Sequence, residues 1–374
     1  MLTETSSVRR ISQCPADPPA TLRKIEHPGW TECHTTLPIS VATNACRDLC
    51  KSSKIALNRT CLQRKSFFGR RESRLFEEVS CGIKLDPFPD GFPTAFLNVH
   101  AFGDQERLAS VHSELQAGDI QVPETALLQE PGIPGGIQIT TISGIDSTPL
   151  FGKNGRFIGR YFEDSDAKYC VLGGVRPTHP EASRGAQTTD VLEAIQCAMT
   201  EAGMHFRDVV RTWFYNHDIL DWYGEFNQAR TAFFQRHGIT RMPASTGIGV
   251  ANVSGAALVA KAIAVQPKSR AVTVHRVESP LQREASTYGS SFSRAMEVAD
   301  RTRRVVYISG TASILPNGET AHTGSAARQI EKTMEVVGAI LAQNGMGLSD
   351  TTRAIAYFRH QEHIPLWEQY CNTR

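Results

Sequence analysis

The fold is decided by two stretches of the chain that repeat each other: residues 187–215, QTTDVLEAIQCAMTEAGMHFRDVVRTWFY, and residues 329–357, QIEKTMEVVGAILAQNGMGLSDTTRAIAY. They align without a gap at a shift of 142 residues. The identical pairs are Gln187 with Gln329, Glu193 with Glu335, Gly203-Met204 with Gly345-Met346, Asp208 with Asp350, Arg211 with Arg353 and Tyr215 with Tyr357. Identity at so many ungapped positions indicates an internal repeat.

Each copy has the pattern of a strand, a loop, a helix and a second strand. Apolar residues in the helical part recur on one face, as Val191, Ile195 and Met199 do in the first copy, and a glycine ends each helix. The strands predicted before and after the helices span 169–172 and 209–215 in the first copy, and 305–308 and 353–358 in the second. We therefore expect an α+β fold with two tandem units.

The first copy continues further than the second. After residue 215 it runs through a predicted helix at 223–236 and two predicted strands at 244–250 and 256–265. The counterpart of residue 265 in the second copy would fall at position 407, beyond Arg374. We expect the second unit to lack its last strands, which leaves a sheet edge unpaired unless a partner or another segment covers it.

Charge and composition divide the chain further. Residues 1–75 contain 13 Lys or Arg and 6 Asp or Glu, a net charge of +7, whereas the whole chain carries +2. This segment has no sustained period, so we expect a disordered basic extension. Residues 76–160 are predicted to form a small α+β region with strands at 95–99 and 137–142. Residues 161–270 then form the first repeated unit and residues 271–374 the second.

The composition also excludes several classes of protein. A net charge of +2 does not indicate a surface that coats nucleic acid or membranes, and no apolar run approaches the ~20 residues of a membrane span. No apolar core follows the first arginines, so no secretory signal is expected. Nine cysteines, five of them before residue 62, favour free thiols in a reducing compartment. We expect a soluble, cytoplasmic protein.

Three segments are the best candidates for a binding site. In the first, Tyr223, Phe226 and Arg230 are spaced to share one helical face. The second, residues 286–294, places small hydroxyl residues around Tyr288 and Arg294, which suits an anionic, hydroxylated small molecule whose carboxylate Arg294 takes bidentately. The third, residues 309–313, has side chains small enough for a ligand to approach the backbone. Each segment is explained nearly as well by an amphipathic helix or a plain loop.

Other motifs are weaker. Cys46 and Cys50 have a spacing compatible with zinc, but no second pair completes a set of four ligands, and His360 and His363 do not form a zinc-protease motif. The glycines of 247–255 precede a strand-like run, so a dinucleotide site is not expected. The basic and aromatic residues at 64–71 are better explained as a solvated tail than as a nucleic-acid site.

These residues carry a resemblance. The second copy is similar to the RidA/YjgF superfamily. The larger pattern resembles the chorismatase family (the FkbO-like enzymes). It consists of WYGEFN at 222–227, PASTGIG at 243–249, YGSSFSRA at 288–295 and SGTASI at 309–314, and it extends over roughly residues 85–374. The combination in this order is specific to chorismatases.

The resemblance implies a function and a site. Family members remove the enolpyruvyl group of chorismate as pyruvate, giving a dihydroxycyclohexadiene carboxylate or a hydroxybenzoate, without a metal or organic cofactor. By carry-over, the substrate site would be lined by Tyr223, Arg230, Tyr288, Arg294 and Ala312. The family's general-acid glutamate lies on the last strand of the fold, and its counterpart would fall beyond Arg374, so no catalytic residue is assigned.

Three other functions stay open. A catalytically inactive RidA-like protein that binds a small carboxylate would share the same residues. A RidA-type imine deaminase is disfavoured because Pro243-Ala244 is followed by Ser245 and not by the arginine that function normally uses. An RNA-associated role would use residues 61–74. We expect a small-molecule ligand, no membrane or nucleic-acid partner, and either a monomer or a homo-oligomer.

Overall fold

The structure is a computed structural model that describes residues 2–5, 21–27, 30–39, 62–64, 73–75, 94–117, 120–130, 135–285 and 289–373. The strands before residue 148 are β1 (Leu2–Thr5), β2 (Thr21–His27), β3 (Trp30–Ile39), β4 (Leu62–Arg64), β5 (Ser73–Leu75), β6 (Thr94–Gly103), β7 (Glu124–Leu128), β8 (Gly135–Ser143) and the start of β9 (Ser147–Phe151), with helix α1 (Gln105–Ala117) between β6 and β7. The later strands are β10 (Phe157–Glu163), β11 (Ala167–Val175), β12 (Val209–Asn216), β13 (Ala244–Gly249), β14 (Leu258–Pro267), β15 (Thr273–Val277), β16 (Ala295–Ala299), β17 (Arg304–Ile308) and β18 (Ala354–Tyr357). The later helices are α2 (Arg184–Glu201), α3 (Ile219–Arg236), α4 (Ala326–Gln343) and α5 (Ile364–Thr373).

The chain divides into two compact units. One consists of Pro15–Ser147, and the other of Thr148–Arg374 together with Met1–Cys14. The first unit contains a five-stranded sheet in the order β2-β3-β8-β6-β7. Helix α1 packs on β6 and β7, and its apolar face closes a core with the sheet. That core includes Val99, Ala101, Leu108, Val111, Leu115, Ile137 and Ile139. Strands β6 and β8 confirm the strands predicted at 95–99 and 137–142.

The second unit is built on a six-stranded sheet. Its order is β13-β12-β14-β11-β10-β9, with β12 parallel to β13 and antiparallel to β14. Every residue of β12 is buried, including the polar side chains of Arg211, Thr212 and Asn216. Helices α2 and α3 pack against each other, and α2 lies on β11 and β14. Their apolar faces bury Val191, Leu192, Ile195, Met199, Phe226, Phe233 and Phe234 in one core.

The internal repeat is visible in the element boundaries. Helix α4 begins and ends 142 positions after α2, and the short 3-10 helix Leu348–Asp350 follows Phe206–Asp208 at the same distance. The N-cap residues correspond as well, because the Ser183 hydroxyl accepts a hydrogen bond from the Ala186 amide and the Ser325 hydroxyl from the Arg328 amide. The α+β fold with two related units is therefore present.

The second copy is completed by a distant segment. Strands β15, β16 and β17 form an antiparallel sheet, and β18 pairs with β1 at the register Leu2–Tyr357 to Thr5–Ala354. Strand β1 also contacts β17. In the first copy, β14 lies antiparallel between β11 and β12, so β1 has in the second copy the position that β14 has in the first. The sheet edge at β18, which the sequence predicts to be unpaired, is thus hydrogen-bonded to the backbone of residues 2–5.

The two copies share a buried face inside the second unit. Ala244, Val265 and Met296 lie in one apolar cluster, with Val298 and Tyr307 packed against it. The strands of the six-stranded sheet therefore meet β16 and β17 through side chains. The predicted domain boundaries, after residues 75, 160 and 270, stay predictions. The two compact units describe a coarser division, with boundaries after residues 14 and 147. Among the described residues, no helix combines the length and the apolarity that crossing a membrane requires.

Candidate functional site

Helix α3 carries two of the predicted site residues. Its first turn is irregular: Asp218, before it, has a φ of 50°, and Trp222 interrupts the helical backbone with a φ of −144°. The Trp222 indole donates to the His217 carbonyl at 2.8 Å and holds this turn. The three residues share a helical face as predicted, because Tyr223 stacks on Phe226 at 6.2 Å between ring centroids and Arg230 lies over Phe226. Phe226 and Arg230 are buried, whereas 40% of the Tyr223 surface is exposed.

Arg230 is fixed from two directions. Its side chain is 2% exposed. Nη2 donates to Asn227 Oδ1 at 2.7 Å, and Nη1 reaches the Ser245 hydroxyl at 3.5 Å. The guanidinium lies 4.9 Å from the centroid of the Phe226 ring and 5.8 Å from that of Phe292. These contacts hold a positive charge in the interior of the unit, where electrostatic interactions are stronger than in water.

Arg294 lies against the same aromatic ring from another element. It is 5% exposed, and its guanidinium lies 5.5 Å from the Phe292 centroid. Nε and Nη2 donate to the Arg283 carbonyl at 2.9 and 2.5 Å. The edge of the guanidinium formed by Nε and Nη2 is therefore in use. The bidentate contact with a carboxylate that the sequence predicts would use the other edge, formed by Nη1 and the second N–H of Nη2, and it stays a prediction.

A chain of buried hydroxyl groups lies beside Arg230. Thr212 Oγ1 donates to Ser245 Oγ at 2.9 Å, and the Ser245 amide donates to Ser309 Oγ at 2.8 Å. The Ser309 hydroxyl in turn donates to the Ser293 carbonyl. Ser245, Ser293 and Ser309 come from three separate stretches, of which those with Ser293 and Ser309 are candidate binding segments in the sequence. Their mutual contact connects β13, the loop before β16 and the end of β17.

A glycine permits this close approach. The Gly310 amide donates to the Ser245 carbonyl at 3.1 Å. A Cβ atom at position 310 would lie 2.9 Å from Thr246 Cγ2 and 3.3 Å from Thr246 Cα. A side chain there would push the two copies apart, so the small residue predicted to let a ligand approach the backbone instead lets one strand approach another.

The other two predicted site residues are Ala312 and Tyr288. Ala312 is half-buried, and its carbonyl accepts a hydrogen bond from Gln282 Nε2 at 3.2 Å. Gln282, which the sequence did not indicate, is buried, and the same Nε2 reaches the Ile314 carbonyl at 3.4 Å. Tyr288 lies outside the described residues.

An open groove of about 600 Å³ runs along the outer side of α3. It is lined by Tyr223, Gly224, Asn227, Gln228, Thr231, Ala232, Gln235, Gly289 and Ser290. Thr231 Oγ1 and Ser291 Oγ are 2.7 Å apart and join the helix to the loop that forms the opposite wall. Amide and hydroxyl groups beside one aromatic ring suit a polar, hydroxylated ligand. Asn227 belongs to both this groove and the Arg230 contacts.

A second group of cations surrounds Trp213. Arg211, Lys261 and Arg353 lie 4.3, 5.3 and 5.9 Å from its ring centroid. Because side chains alternate along a strand, Arg211 and Trp213 face away from Thr212, whose hydroxyl bonds to Ser245. This group therefore lies on the other face of β12 from Arg230.

The weaker motifs have structural placements. His360 and His363 contact each other at 5.7 Å between ring centroids. In the part of the chain that the structure describes, no three His, Cys, Asp or Glu side chains come together as metal ligands would. Cys46 and Cys50 lie outside the described residues, as does most of the basic stretch at 64–71. Residues 247–249 lie in or at the end of β13, which agrees with the rejection of a dinucleotide loop.

The fold and the repeated unit define the class of protein. Residues 172–266 match the family described as Endoribonuclease L-PSP. The crystal structure of YjgF from E. coli is 25% identical and aligns over 28% of this chain and 84% of that one, with a TM-score of 0.25. The family match over residues 172–266 supports a RidA/YjgF-like first unit of the repeat.

A more specific relationship covers a larger part of the chain. A chorismatase of Streptomyces rapamycinicus is 28% identical in an alignment of 194 residues that covers 45% of this chain and 56% of that protein. A chorismatase crystal structure aligns over 78% of this chain and 88% of its own, with 17% identity and a TM-score of 0.51. The chain spans little more than half of the curated relative. These findings confirm the resemblance: the chain is similar in sequence to a chorismatase and shares the fold of one.

Proposed function

We propose that the protein binds chorismate, or a closely related cyclic carboxylate, beside the ring of Phe292. The observation that carries the proposal is the placement of two guanidinium groups, Arg230 and Arg294, within 6 Å of one aromatic centroid. Chorismate carries two carboxylates and an apolar ring face. Buried guanidinium groups bind carboxylates more strongly than exposed ones, and Phe292 offers the apolar surface between them.

We further propose that the reaction is the one its relatives' name indicates, removal of the enolpyruvyl group of chorismate as pyruvate. Protonation of the enol-ether methylene carbon gives an oxocarbenium ion, and water attacks the adjacent carbon that carries the ether oxygen. After loss of a proton, the resulting hemiketal collapses to pyruvate and a ring alcohol. The residues named above supply anchors for the anionic substrate and hydroxyl groups that orient it. They supply no carboxylic acid, so the proton donor is not assigned.

Binding without turnover is the second candidate function. The hydrogen-bonding groups beside Phe292 are cations, hydroxyls and amides, which recognise a carboxylate but do not readily donate a proton to carbon. This candidate requires the same residues and the same ligand. A single experiment therefore separates the two functions.

The experiment combines calorimetry with a coupled assay for pyruvate. Chorismate is titrated into the protein, and pyruvate is followed with lactate dehydrogenase and NADH. Binding with pyruvate release supports the enzyme, and binding without release supports the carboxylate-binding protein. If neither chorismate nor benzoate produces a binding signal at millimolar concentration, both proposals are wrong. Spontaneous breakdown of chorismate is subtracted with a protein-free blank.

A further inference from the structure

Asn227 stands between the open groove and the buried Arg230. It is half-buried, and its side chain lines the groove along α3. Its Oδ1 accepts a hydrogen bond from Arg230 Nη2 at 2.7 Å, and its Nδ2 donates to the Tyr223 carbonyl at 2.9 Å. Both ends of the amide are therefore engaged by groups of α3.

The chemistry of the partners fixes which way the amide points. A guanidinium has only donors and a backbone carbonyl only acceptors, so the oxygen of Asn227 must face Arg230 and the nitrogen must face Tyr223. Anchored in this way, Asn227 holds Nη2 without neutralising the guanidinium. This hydrogen bond fixes the orientation of the guanidinium and adds no negative charge beside it.

Other contacts also fix the orientation of the Arg230 guanidinium. Nη1 reaches the Ser245 hydroxyl, and the planar group lies over Phe226 and near Phe292. Asn227 also lines the groove, whereas Ser245 does not. A ligand entering from the groove would therefore meet Asn227 next to Arg230.

We propose that Asn227 is the positioning residue for Arg230 in carboxylate recognition, and that the α3 groove is the side from which the ligand reaches it. This inference rests on the proposed function. A neutral amide is required at position 227 because a carboxylate there would pair with Arg230 and compete with the ligand. The inference thus assigns a role to the asparagine of the WYGEFN motif that the resemblance did not assign.

The decisive variant is Asn227→Asp, which keeps the size of the side chain and adds one negative charge. We expect its affinity for chorismate and for benzoate, measured by calorimetry, to fall at least tenfold. The affinity of the natural protein should weaken as sodium chloride is raised, and that of the variant should depend less on salt, because the guanidinium is already neutralised. If turnover occurs, KM should rise more than kcat falls.

Two controls separate this role from a structural one. Gln361→Glu adds the same charge at an exposed position of the short helix Gln361–His363 and should leave both affinities unchanged. Thermal unfolding of Asn227→Asp should remain cooperative, so that a lower affinity is not a consequence of unfolding. Asn227→Ala should also weaken binding, and its residual binding should keep the salt dependence that Asn227→Asp loses.

The outcomes distinguish the inference from the function on which it rests. If the natural protein binds chorismate and Asn227→Asp binds it equally well, Asn227 does not position Arg230 and the inference is wrong, while the proposed function stands. If Asn227→Asp and Gln361→Glu lose affinity to the same extent, the effect is one of overall charge and the inference is again wrong. Absence of binding by the natural protein overturns both.

Discussion

Glu225 Oε1 accepts a hydrogen bond of 2.6 Å from the amide of Gly185, forty residues earlier in the chain. Gly185 lies in the first turn of α2, where backbone amides have no partner within the helix and the helix dipole favours a negative charge. A Cβ atom at position 185 would lie 2.8 Å from the same oxygen, so the glycine admits this contact. The acidic residue of the WYGEFN motif therefore stabilises the junction of two helices.

This contact predicts the effect of changing Glu225. Replacement by Ala removes the acceptor and the charge, and by analogy with other helix N-terminal contacts it should lower stability by about 1 kcal/mol. Glu225→Gln retains an acceptor but loses the charge, so it should cost less. Chemical denaturation of both variants gives their free energies of unfolding and tests whether Glu225→Ala is the less stable of the two. The control is Glu335→Ala, an exposed change on α4 that removes a surface ion pair with Lys332 and should have a smaller effect than Glu225→Ala.

The close approach of Gly310 to Thr246 predicts a rescue. Gly310→Ala places a methyl group against Thr246 Cγ2 and should destabilise the protein by roughly 1–3 kcal/mol, the usual cost of overpacking. Thr246→Ser removes that methyl group and retains a hydroxyl for Arg211 Nη2. The double variant should be more stable than the sum of the single changes predicts. Additive free energies of unfolding would contradict this account of the contact.

Arg230 and Arg294 should be unequal in their tolerance of lysine. Arg230→Lys loses one of the two hydrogen bonds that tie the guanidinium to Asn227 and Ser245, and the affinity for chorismate should fall tenfold or more, since about 1.4 kcal/mol corresponds to a factor of ten. Arg294→Lys cannot span the Arg283 carbonyl with two donors and should also lower thermal stability.

Calorimetry and thermal unfolding together test this distinction. Arg236→Lys, at the exposed end of the same helix α3, provides the control, because its side chain contacts Glu193 at the surface. Equal affinities for Arg230→Lys and the control would count against a ligand role for Arg230.

Asp300 predicts a dependence of stability on pH. Burial alone would raise its pKa, but hydrogen bonds from Thr302 and Arg303 outweigh burial and lower the pKa from 3.8 to about 2. A carboxyl whose pKa is lower in the folded state stabilises that state above its unfolded pKa, and this contribution disappears as the pH falls through the folded pKa. Asp300→Asn should therefore be less stable than the natural protein at pH 6.

The measurement is the midpoint of thermal unfolding between pH 6 and pH 2. The difference between Asp300→Asn and the natural protein should be constant above about pH 5 and should shrink between about pH 4 and pH 2. The turn between β16 and β17, which Asp300 organises through the Thr302 and Arg303 amides, is the origin of the effect. A difference that does not change with pH would assign it to lost packing.

Much of the fold could be predicted from local patterns. The shift of 142 residues between the copies is reproduced by α2 and α4 to the residue, because an amphipathic helix that ends at a glycine is encoded within its own length. The strands were predicted for the same reason, since β-branched and aromatic runs bounded by turn residues act locally. Arg230 and Arg294 were singled out by their neighbours in the chain, and they are buried beside one ring.

The contacts between distant residues were decided only by the tertiary structure. Ser245 and Ser309, 64 positions apart, share a hydrogen bond, and no periodicity connects them. The pairing of Leu2–Thr5 with β18 satisfies backbone groups at the edge of a sheet. Any short strand in register can do so, and the pairing could therefore not be predicted from the residue types of that segment. The sequence by itself thus determined the repeated elements and the neighbourhood of Asn227 and Arg230, which lie three positions apart on α3. Tertiary folding alone decided that Arg230 meets Phe292 and Ser245, because contacts between different elements depend on positions in space and not on spacing along the chain.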